Sequence, residues 1–464
     1  MKKLFDARSA LLPKRWGLDI DTDGALIHGG CRLVDVAQTF GTPLHVVNEQ
    51  RLAETARRFL HAVDDLYPGK TSVHFAFKCN PVPGVIEIVR RAGLKAEVAS
   101  EYELRLALKL GYSGRDIVVN GPYKPAPLLK LCLASNVRFI VVDALYELEE
   151  LNALCEAERC EVDVLLRINP DVVPKGMNQG SATGSRKGCA FGLDLKGGEV
   201  VEALARLKRS ERVHFCGYHF HIGTGIYLPD EYRRALEQLK QIVEHTHREG
   251  FVIRVFDVGG GFATMNSREM TARELLLYQG WERLPAGVPS RRDLTFGDFA
   301  RAVSGGLHAV FGSGTLPELI VEPGRSIASS SQVLLLTVHR VKERSGLRKW
   351  LITDGGISNV TMPTYYEYHE VFLCDDARRP RSETVTITGP ACFAADIVYR
   401  NKSMPAVEPG MVLAIMDSGA YFTSWESSFG FPRPAIAAVK NGRVRVIRKR
   451  ETFDQMIERD VVYS

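Results

Sequence analysis

The chain has no stretch of about 18 consecutive apolar residues, the minimum for an obvious membrane-spanning helix. Its amino terminus, MKKLFDARSALLPKRWG, opens with two lysines but has no continuous apolar core such as a secretory signal needs. The expectation is a cytoplasmic protein with no membrane partner. Cys-x-x-Cys pairs are missing as well. Nine cysteines, an odd number, are scattered singly, which fits reduced thiols better than a disulfide framework or a zinc site, and no metal is expected. Charge of one sign is scarce: the net charge is +5 over 464 residues, and the basic run Arg448-Lys449-Arg450 reads as a solvated face rather than a nucleic-acid surface. Repeats and low-complexity segments are absent too.

Apolar material is plentiful. With 45% hydrophobic and 25% charged residues, the chain can bury a large core and fill two domains. Short apolar runs at 73–78, 96–100, 117–120, 139–143, 163–168, 215–222, 255–258 and 317–322 predict eight strands. Amphipathic stretches of helical period lie between them, such as Glu101 to Leu110, opened by Ser100 and Glu103 in a capping-box spacing. This alternation predicts an α/β fold, a (β/α)8 TIM-type barrel whose active site lies at the C-terminal strand ends. Past residue 330 the pattern changes: 332–338, 350–353, 384–388, 411–416 and 435–447 are strand-like, the last carrying Asn441-Gly442 as a hairpin turn. The first 44 residues are also rich in strands and turns. The expected organisation is a mainly β domain built from both chain ends, 1–44 and 331–464, around a barrel at 45–330, with 262–297 as an insertion after the seventh strand.

Several predicted strand ends carry chemistry. Lys78 follows the apolar run Val73, Phe75, Ala76, Phe77, and a desolvated lysine amine is a candidate for bonding a carbonyl, although a solvated strand cap would look the same. Gly259, Gly260 and Gly261 after Asp257, and Glu322-Pro323-Gly324-Arg325, fall on the last two strand ends, where barrels bind phosphate through backbone N–H groups. His219 and His221 end the sixth strand, followed by Thr224. Two histidines separated by one residue point to opposite faces of a strand, so a single one is expected to face the barrel mouth.

In order along the chain, GTPL at 41–44, FAFKCNP at 75–81, EVASEYEL at 97–104, LLRINP at 165–170, HFHIGTG at 219–225, DVGGGF at 257–262, VEPGR at 321–325, GPACFAAD at 389–396 and DSGAY at 417–421 resemble the motifs of the fold-type III pyridoxal-phosphate decarboxylases. That group contains the diaminopimelate and ornithine decarboxylases, and the resemblance covers nearly the whole chain. It implies pyridoxal 5'-phosphate held covalently by Lys78, with His221 stacked on its ring and Glu322 paired with the pyridine nitrogen. It further implies a phosphate bound by Thr224, Gly259 to Gly261, Gly324, Arg325 and Tyr421, and Cys392 as the acid that protonates the α-carbon. Cys392, Asp396 and Tyr421 would come from a second subunit, so a homodimer with shared sites is implied, acting on a small-molecule amino-acid substrate.

The chain departs from that pattern where a substrate's far end would be read. Diaminopimelate decarboxylases usually have a glutamate after the active-site cysteine, and ornithine-type enzymes an aspartate; here it is Phe393. An arginine that usually grips the distal carboxylate is replaced by Met362, while Tyr366 keeps its place and Arg325 remains to contact a carboxylate. Glu97 stands for the usual aspartate. A site that loses its polar partners discriminates against a polar substrate by several kcal/mol, so a non-standard amino acid is expected, with diaminopimelate as the alternative. A racemase of the same architecture normally pairs the ring nitrogen with arginine, which Glu322 disfavours. A single-domain cofactor carrier would leave the C-terminal β region unexplained, and a catalytically dead regulator conflicts with the presence of Lys78, His221, Glu322, Cys392 and Tyr421.

Overall fold

Short runs of β-branched and aliphatic residues such as Ile117-Val118-Val119 and Phe139-Ile140-Val141-Val142 are buried throughout, as strands of a parallel sheet covered on both faces must be. A computed structural model describes residues 12–177, 181–264, 266–285, 294–312, 314–360 and 366–461. In it, β1 (Thr71–Ala76), β2 (Lys95–Val98), β3 (Ile117–Val119), β4 (Phe139–Val142), β5 (Val162–Asn169), β6 (Val213–His219), β7 (Val255–Asp257) and β8 (Glu318–Val321) pair in parallel. The ring closes: β4 meets β5 through Ile140↔Val164, and β8 returns to β1 through Val321↔Val73. The expected eight-stranded barrel is therefore present. Helices connect its strands, among them Pro83–Arg91, Glu101–Lys109, Ala126–Ala134, Leu145–Glu158 and Phe296–Phe311. Ser100 caps Glu101–Lys109 by accepting from the Glu103 N–H, but the Glu103 carboxylate reaches back to the Ala99 N–H, one residue beyond the expected box.

Two predicted strands end early. β1 stops at Ala76, so Lys78 lies in a single 3-10 turn, Phe77–Cys79, and β6 stops at His219 rather than running to 222. β6 also carries a bulge between Phe215 and Gly217. A Cβ on Gly217 would lie 1.8 Å from the Val255 carbonyl oxygen, so only glycine lets β6 follow β7 there.

The chain divides into two units, Glu54–Ala263 with Asp293–Ser326, and Met1–Ala53 with Thr264–Arg292 and Ile327–Ser464. The second is built on a sheet in which Gln332–Arg344 is the long central strand, flanked by Leu44–Asn48, Val412–Ile415 and Arg348–Thr353. Alternate residues of that strand enter opposite cores: Val333 and Leu335 join Trp16, Leu44, Val46 and Ala437, whereas Leu334, Leu336 and Val338 join Leu351, Ile387, Leu413 and Phe422. Because both faces are buried, the sequence reads as the unbroken run Val-Leu-Leu-Leu. A boundary after residue 44 would cut Leu44–Asn48 from the sheet in which its hydrogen bonds lie, to Gln332–Leu335 and Ala435–Val439. Residues 264–292, expected as a barrel insertion, belong with this unit too, where Arg268–Glu269 pairs with Glu367–Tyr368. The Asn441-Gly442 hairpin joins Ala435–Lys440 to Arg443–Arg448 as expected, both turn residues having positive φ. All nine cysteines are unpaired, and among the described residues no helix is long and apolar enough to cross a membrane.

The Gly217 contact generates a prediction. Gly217→Ala should destabilise the protein by about 1–3 kcal/mol, the typical penalty for overpacking, read as a lower urea midpoint at unchanged m-value.

Candidate active site

Seven of the eight barrel strands end in a buried polar side chain: Glu97, Asn120, Asp143, Arg167, His219, Asp257 and Glu322. Buried polar groups are unfavourable unless they are paired, so such a concentration marks a functional site. Arg167 is 3.4 Å from Asp143 and donates to the Asn120 side-chain oxygen at 3.5 Å. The Asn120 amide in turn donates to Glu322 at 3.3 Å and lies 3.1 Å from His219 Nε2. His219 itself is 3.4 Å from Glu322. Sequence reading passed over Asn120, Asp143, Arg167, the inward orientation of His219 and the carboxyl of Asp257. The signal was available, since each apolar strand run stops at a polar residue on the inward-facing register.

Lys78 is not stranded in apolar surroundings. Its neighbours Phe77 and Cys79 are buried, yet its own side chain is 47% exposed and Nζ donates to Glu97 Oε2 at 2.8 Å. Burial pushes the Glu97 carboxyl up to about 7 against the pull of Lys78, and Glu97 Oε1 has no partner among the described residues. Gly324 makes room for the lysine turn: a Cβ there would stand 2.7 Å from Cys79 Cβ.

Glu322 is fully buried. Burial alone would raise its carboxyl, but His219, Lys78 and His221 hold it well below the usual range. Asp257, within 4.8 Å of it, moves the other way, pushed well above the ordinary carboxylate value by burial and by Glu322. Two carboxyls this close divide one negative charge between them. Here the two shifts run in opposite directions, biasing the charge toward Glu322 and the proton toward Asp257.

Both histidines serve the site, contrary to the expectation of one. Because the strand ends at His219, His221 leaves the pleat and turns to the β7 loop, where its Nδ1 accepts from the Gly260 N–H at 3.1 Å. Burial, with Lys78 and Arg167 nearby, lowers its pKa well below the ordinary value. His221 is thus a neutral ring with its proton on Nε2.

The glycine run has a mixed role. Gly259 N–H donates to Asp257 Oδ1 at 2.8 Å and Gly260 N–H to His221, so Gly261 is the member whose N–H neither bond uses. The small side chains are demanded by packing: a Cβ on Gly260 would stand 2.2 Å from the Glu322 carbonyl oxygen, and one on Gly261 2.1 Å from that of Gly223. Arg325 Nε donates to Thr224 Oγ1 at 3.3 Å, which brings these two together as expected.

The remaining candidates lie in the β-rich unit. Cys392 is exposed in the loop between Glu383–Thr388 and Ile397–Met404, next to the exposed Phe393. Asp396, expected at the substrate, braces its own loop. It is buried, its Oδ2 accepts from the Ala391 N–H and its Oδ1 from the Ile357 N–H, both at 2.7 Å. It ties the cysteine loop to the 355–357 turn. Tyr421 sits at φ +67°, in a turn that begins with Asp417 at φ +59°, itself held by the Trp16 indole N–H at 2.8 Å. Tyr366 accepts from the Met270 N–H through its carbonyl. Met362 lies outside the described residues.

The barrel residues fit pyridoxal phosphate. A protonated pyridine nitrogen needs a buried negative charge, which Glu322 supplies; a flat ring needs a neutral face, which His221 supplies; a phosphate needs donors such as the Gly261 N–H, Thr224 and Arg325. Glu97 Oε1 and His219 Nδ1 are buried without a hydrogen-bond partner among the described residues.

Comparison with known proteins agrees. Residues 50–329 match the family described as pyridoxal-dependent decarboxylase, pyridoxal binding domain. Diaminopimelate decarboxylase of Bacillus subtilis is 29% identical over 448 residues, 95% of this chain and 96% of that one. The enzyme of the same name from Zymomonas mobilis is 30% identical, covering 94% and 96%. Among solved structures, diaminopimelate decarboxylase from M. jannaschii in complex with L-lysine superimposes with a TM-score of 0.84 at 28% identity, covering 96% of this chain and 98% of that one.

The division of charge between the two carboxyls predicts unequal mutants. Asp257→Asn, which copies a protonated acid, should lower kcat less than about tenfold, whereas Glu322→Gln, which removes the charge, should lower it about 100-fold or more. Initial rates with the bound-cofactor spectrum as a loading control check this; equal losses would place the charge elsewhere.

Proposed function

The chain belongs to the pyridoxal-dependent decarboxylases, and we propose that it removes the α-carboxylate of an amino acid whose far end differs from that of diaminopimelate. When bound, the cofactor supplies an electron sink for the bond to the departing carboxylate. Lys78 provides the amine that carries it, and Glu97, 2.8 Å away, takes up or returns a proton as that amine bonds or is released. Glu322 holds the proton on the pyridine nitrogen, while Asp257 and His219 keep that carboxylate in place. His221, neutral with its Nδ1 held by the Gly260 N–H, would lie against the ring without adding a positive charge to compete with the ring nitrogen. Thr224, Gly261, Arg325 and Tyr421 hold the phosphate, with Gly259, Gly260 and Gly324 permitting the close backbone approach. Cys392 delivers a proton to the α-carbon after CO2 leaves.

Tyr421 and Cys392 belong to the β-rich unit, and in this reading they come from a second copy of the chain, making a homodimer with two composite sites. A single observation carries the substrate reading: the residue after Cys392 is the exposed, uncharged Phe393, which can pair neither with a distal ammonium nor with a distal carboxylate. Diaminopimelate itself is the competing reading, and the names of the relatives favour it.

Two outcomes are expected. Offered a panel of amino acids, the purified holoenzyme should release CO2 from meso-diaminopimelate at least about 100-fold less efficiently in kcat/KM than from its best substrate, in line with a lost buried polar contact; efficient turnover of meso-diaminopimelate would sink the altered-specificity reading. Mixing inactive Lys78→Ala and Cys392→Ala subunits should restore about a quarter of wild-type activity, since random exchange makes half the dimers mixed and each mixed dimer has one intact site. No recovery, with subunit exchange verified by mass, would mean that each site is built within one chain.

A further inference from the structure

We propose, resting on the decarboxylase reading above, that Phe393 and Phe429 form an aromatic wall for the substrate side chain, and that this side chain is aromatic or otherwise large and apolar. The two rings touch, with centroids 5.8 Å apart and planes at 32°, yet they remain 47% and 54% exposed. Scattered exposed phenylalanines are ordinary, but a pair in contact and open to solvent is a recognition surface. Trp425 and Phe431, on the same short segment, are exposed as well.

The wall is built. Phe429 adopts φ +40°, a backbone conformation that a bulky side chain rarely takes, and Gly430 follows at φ +83°. Phe393 is held by its own loop, its N–H donating to the Ala391 carbonyl at 2.7 Å and its carbonyl accepting from the Asp396 N–H at 3.0 Å. That loop is clamped in turn by Asp396, around which Gly356 and Gly389 pack so tightly that a Cβ on either would stand 2.0 and 2.4 Å from its oxygens.

The nearby carboxylates already have partners of their own, which disfavours a charged side chain here. A distal ammonium needs a carboxylate, and the two carboxylates of these segments are committed elsewhere. Asp396 accepts from two backbone N–H groups, and Glu426 is buried against Arg448 at 2.8 Å and His45 at 3.7 Å. Two ring faces without a free charge reward dispersion and ring stacking, offer a distal ammonium no more than a cation–π contact, and offer a distal carboxylate no partner. Phe393 directly follows Cys392, so a substrate whose α-carbon reaches the thiol carries its side chain past this pair.

The test uses holoenzyme and a panel of L- and D-amino acids: phenylalanine, tyrosine, leucine, lysine, ornithine, glutamate and meso-diaminopimelate. The expected result is a kcat/KM for an aromatic or large apolar member at least about tenfold above every charged member. Phe429→Ala should lower that kcat/KM about tenfold, mainly through KM, as loss of an aromatic contact does. It should also weaken binding of the corresponding product amine, phenethylamine for phenylalanine, by a similar factor in calorimetry, with cofactor absorbance and dimer mass unchanged. Phe429→Tyr, which keeps the ring, should retain most of both and serves if the alanine variant fails to fold. A best substrate with a charged side chain other than diaminopimelate overturns the wall and leaves the altered-specificity decarboxylase reading standing; preference for meso-diaminopimelate overturns the wall and the altered specificity together, while decarboxylation itself stands. The wall also falls if no aromatic or apolar member is turned over, if the Phe429 variants leave the product-amine affinity unchanged, or if they alter only the dimer mass.

Discussion

A full negative charge on a fully buried carboxylate is unfavourable by several kcal/mol unless its surroundings are arranged for it, and much of the barrel mouth is the arrangement made for Glu322. The Asn120 amide donates to it, His219 lies against it, and Lys78 contributes positive charge from the neighbouring strand end. Burial and the Glu322 charge both push the neighbouring Asp257 toward its protonated form, which couples the β7 loop to the rest of the site. That loop must then press against β6 and β8 closely enough for Asp257 to bond Gly259 and for Gly260 to meet the Glu322 carbonyl, which leaves no room for side chains at either position. His221 follows from the same contact. Its tautomer is set by the Gly260 N–H, and its neutrality by burial and the positive charges around it.

The β-rich unit solves a different problem, that of holding exposed groups still. Cys392 and Phe393 sit on a loop that would be free to move were Asp396 not bonded at both oxygens to backbone N–H groups. Glu426, in the segment that carries Phe429, is likewise engaged, by Arg448 and beside His45. Rigidity and lack of charge therefore come together. Carboxylates that in principle could greet an ammonium are consumed in shaping the loop, and the surface they leave is aromatic.

Much of the barrel was legible because parallel strands covered on both faces must be continuous apolar runs, and the eight runs stand out between amphipathic segments. Their ends were less legible. β1 and β6 each stop short of the apolar residues that extend the pattern, because Phe77 and Phe220 remain buried beyond the last ladder pairs, Phe77 against Tyr112 and Phe220 against Phe256. The region 264–292 was illegible as to its allegiance, since its pairing to Glu367–Tyr368 joins residues about a hundred positions apart. Of the site, Lys78, His221, Glu322 and the glycine run could be placed from motifs. Phe429 could not, because an aromatic residue in a loop becomes informative only when a second ring is seen against it.

The sequence alone determined the eight strands and the position of Lys78 near the end of the first, which depend on local period and composition, and the ordered motifs at the last three strand ends, which are read by their resemblance to those of the pyridoxal-dependent decarboxylases. Tertiary structure decided which of the paired acids keeps its proton, which glycine N–H groups are already taken, that His219 turns inward, and that Asp396 braces a loop. Those properties depend on burial and on neighbours contributed by different strands, and neither exists until the barrel closes and the sheet of the second unit forms.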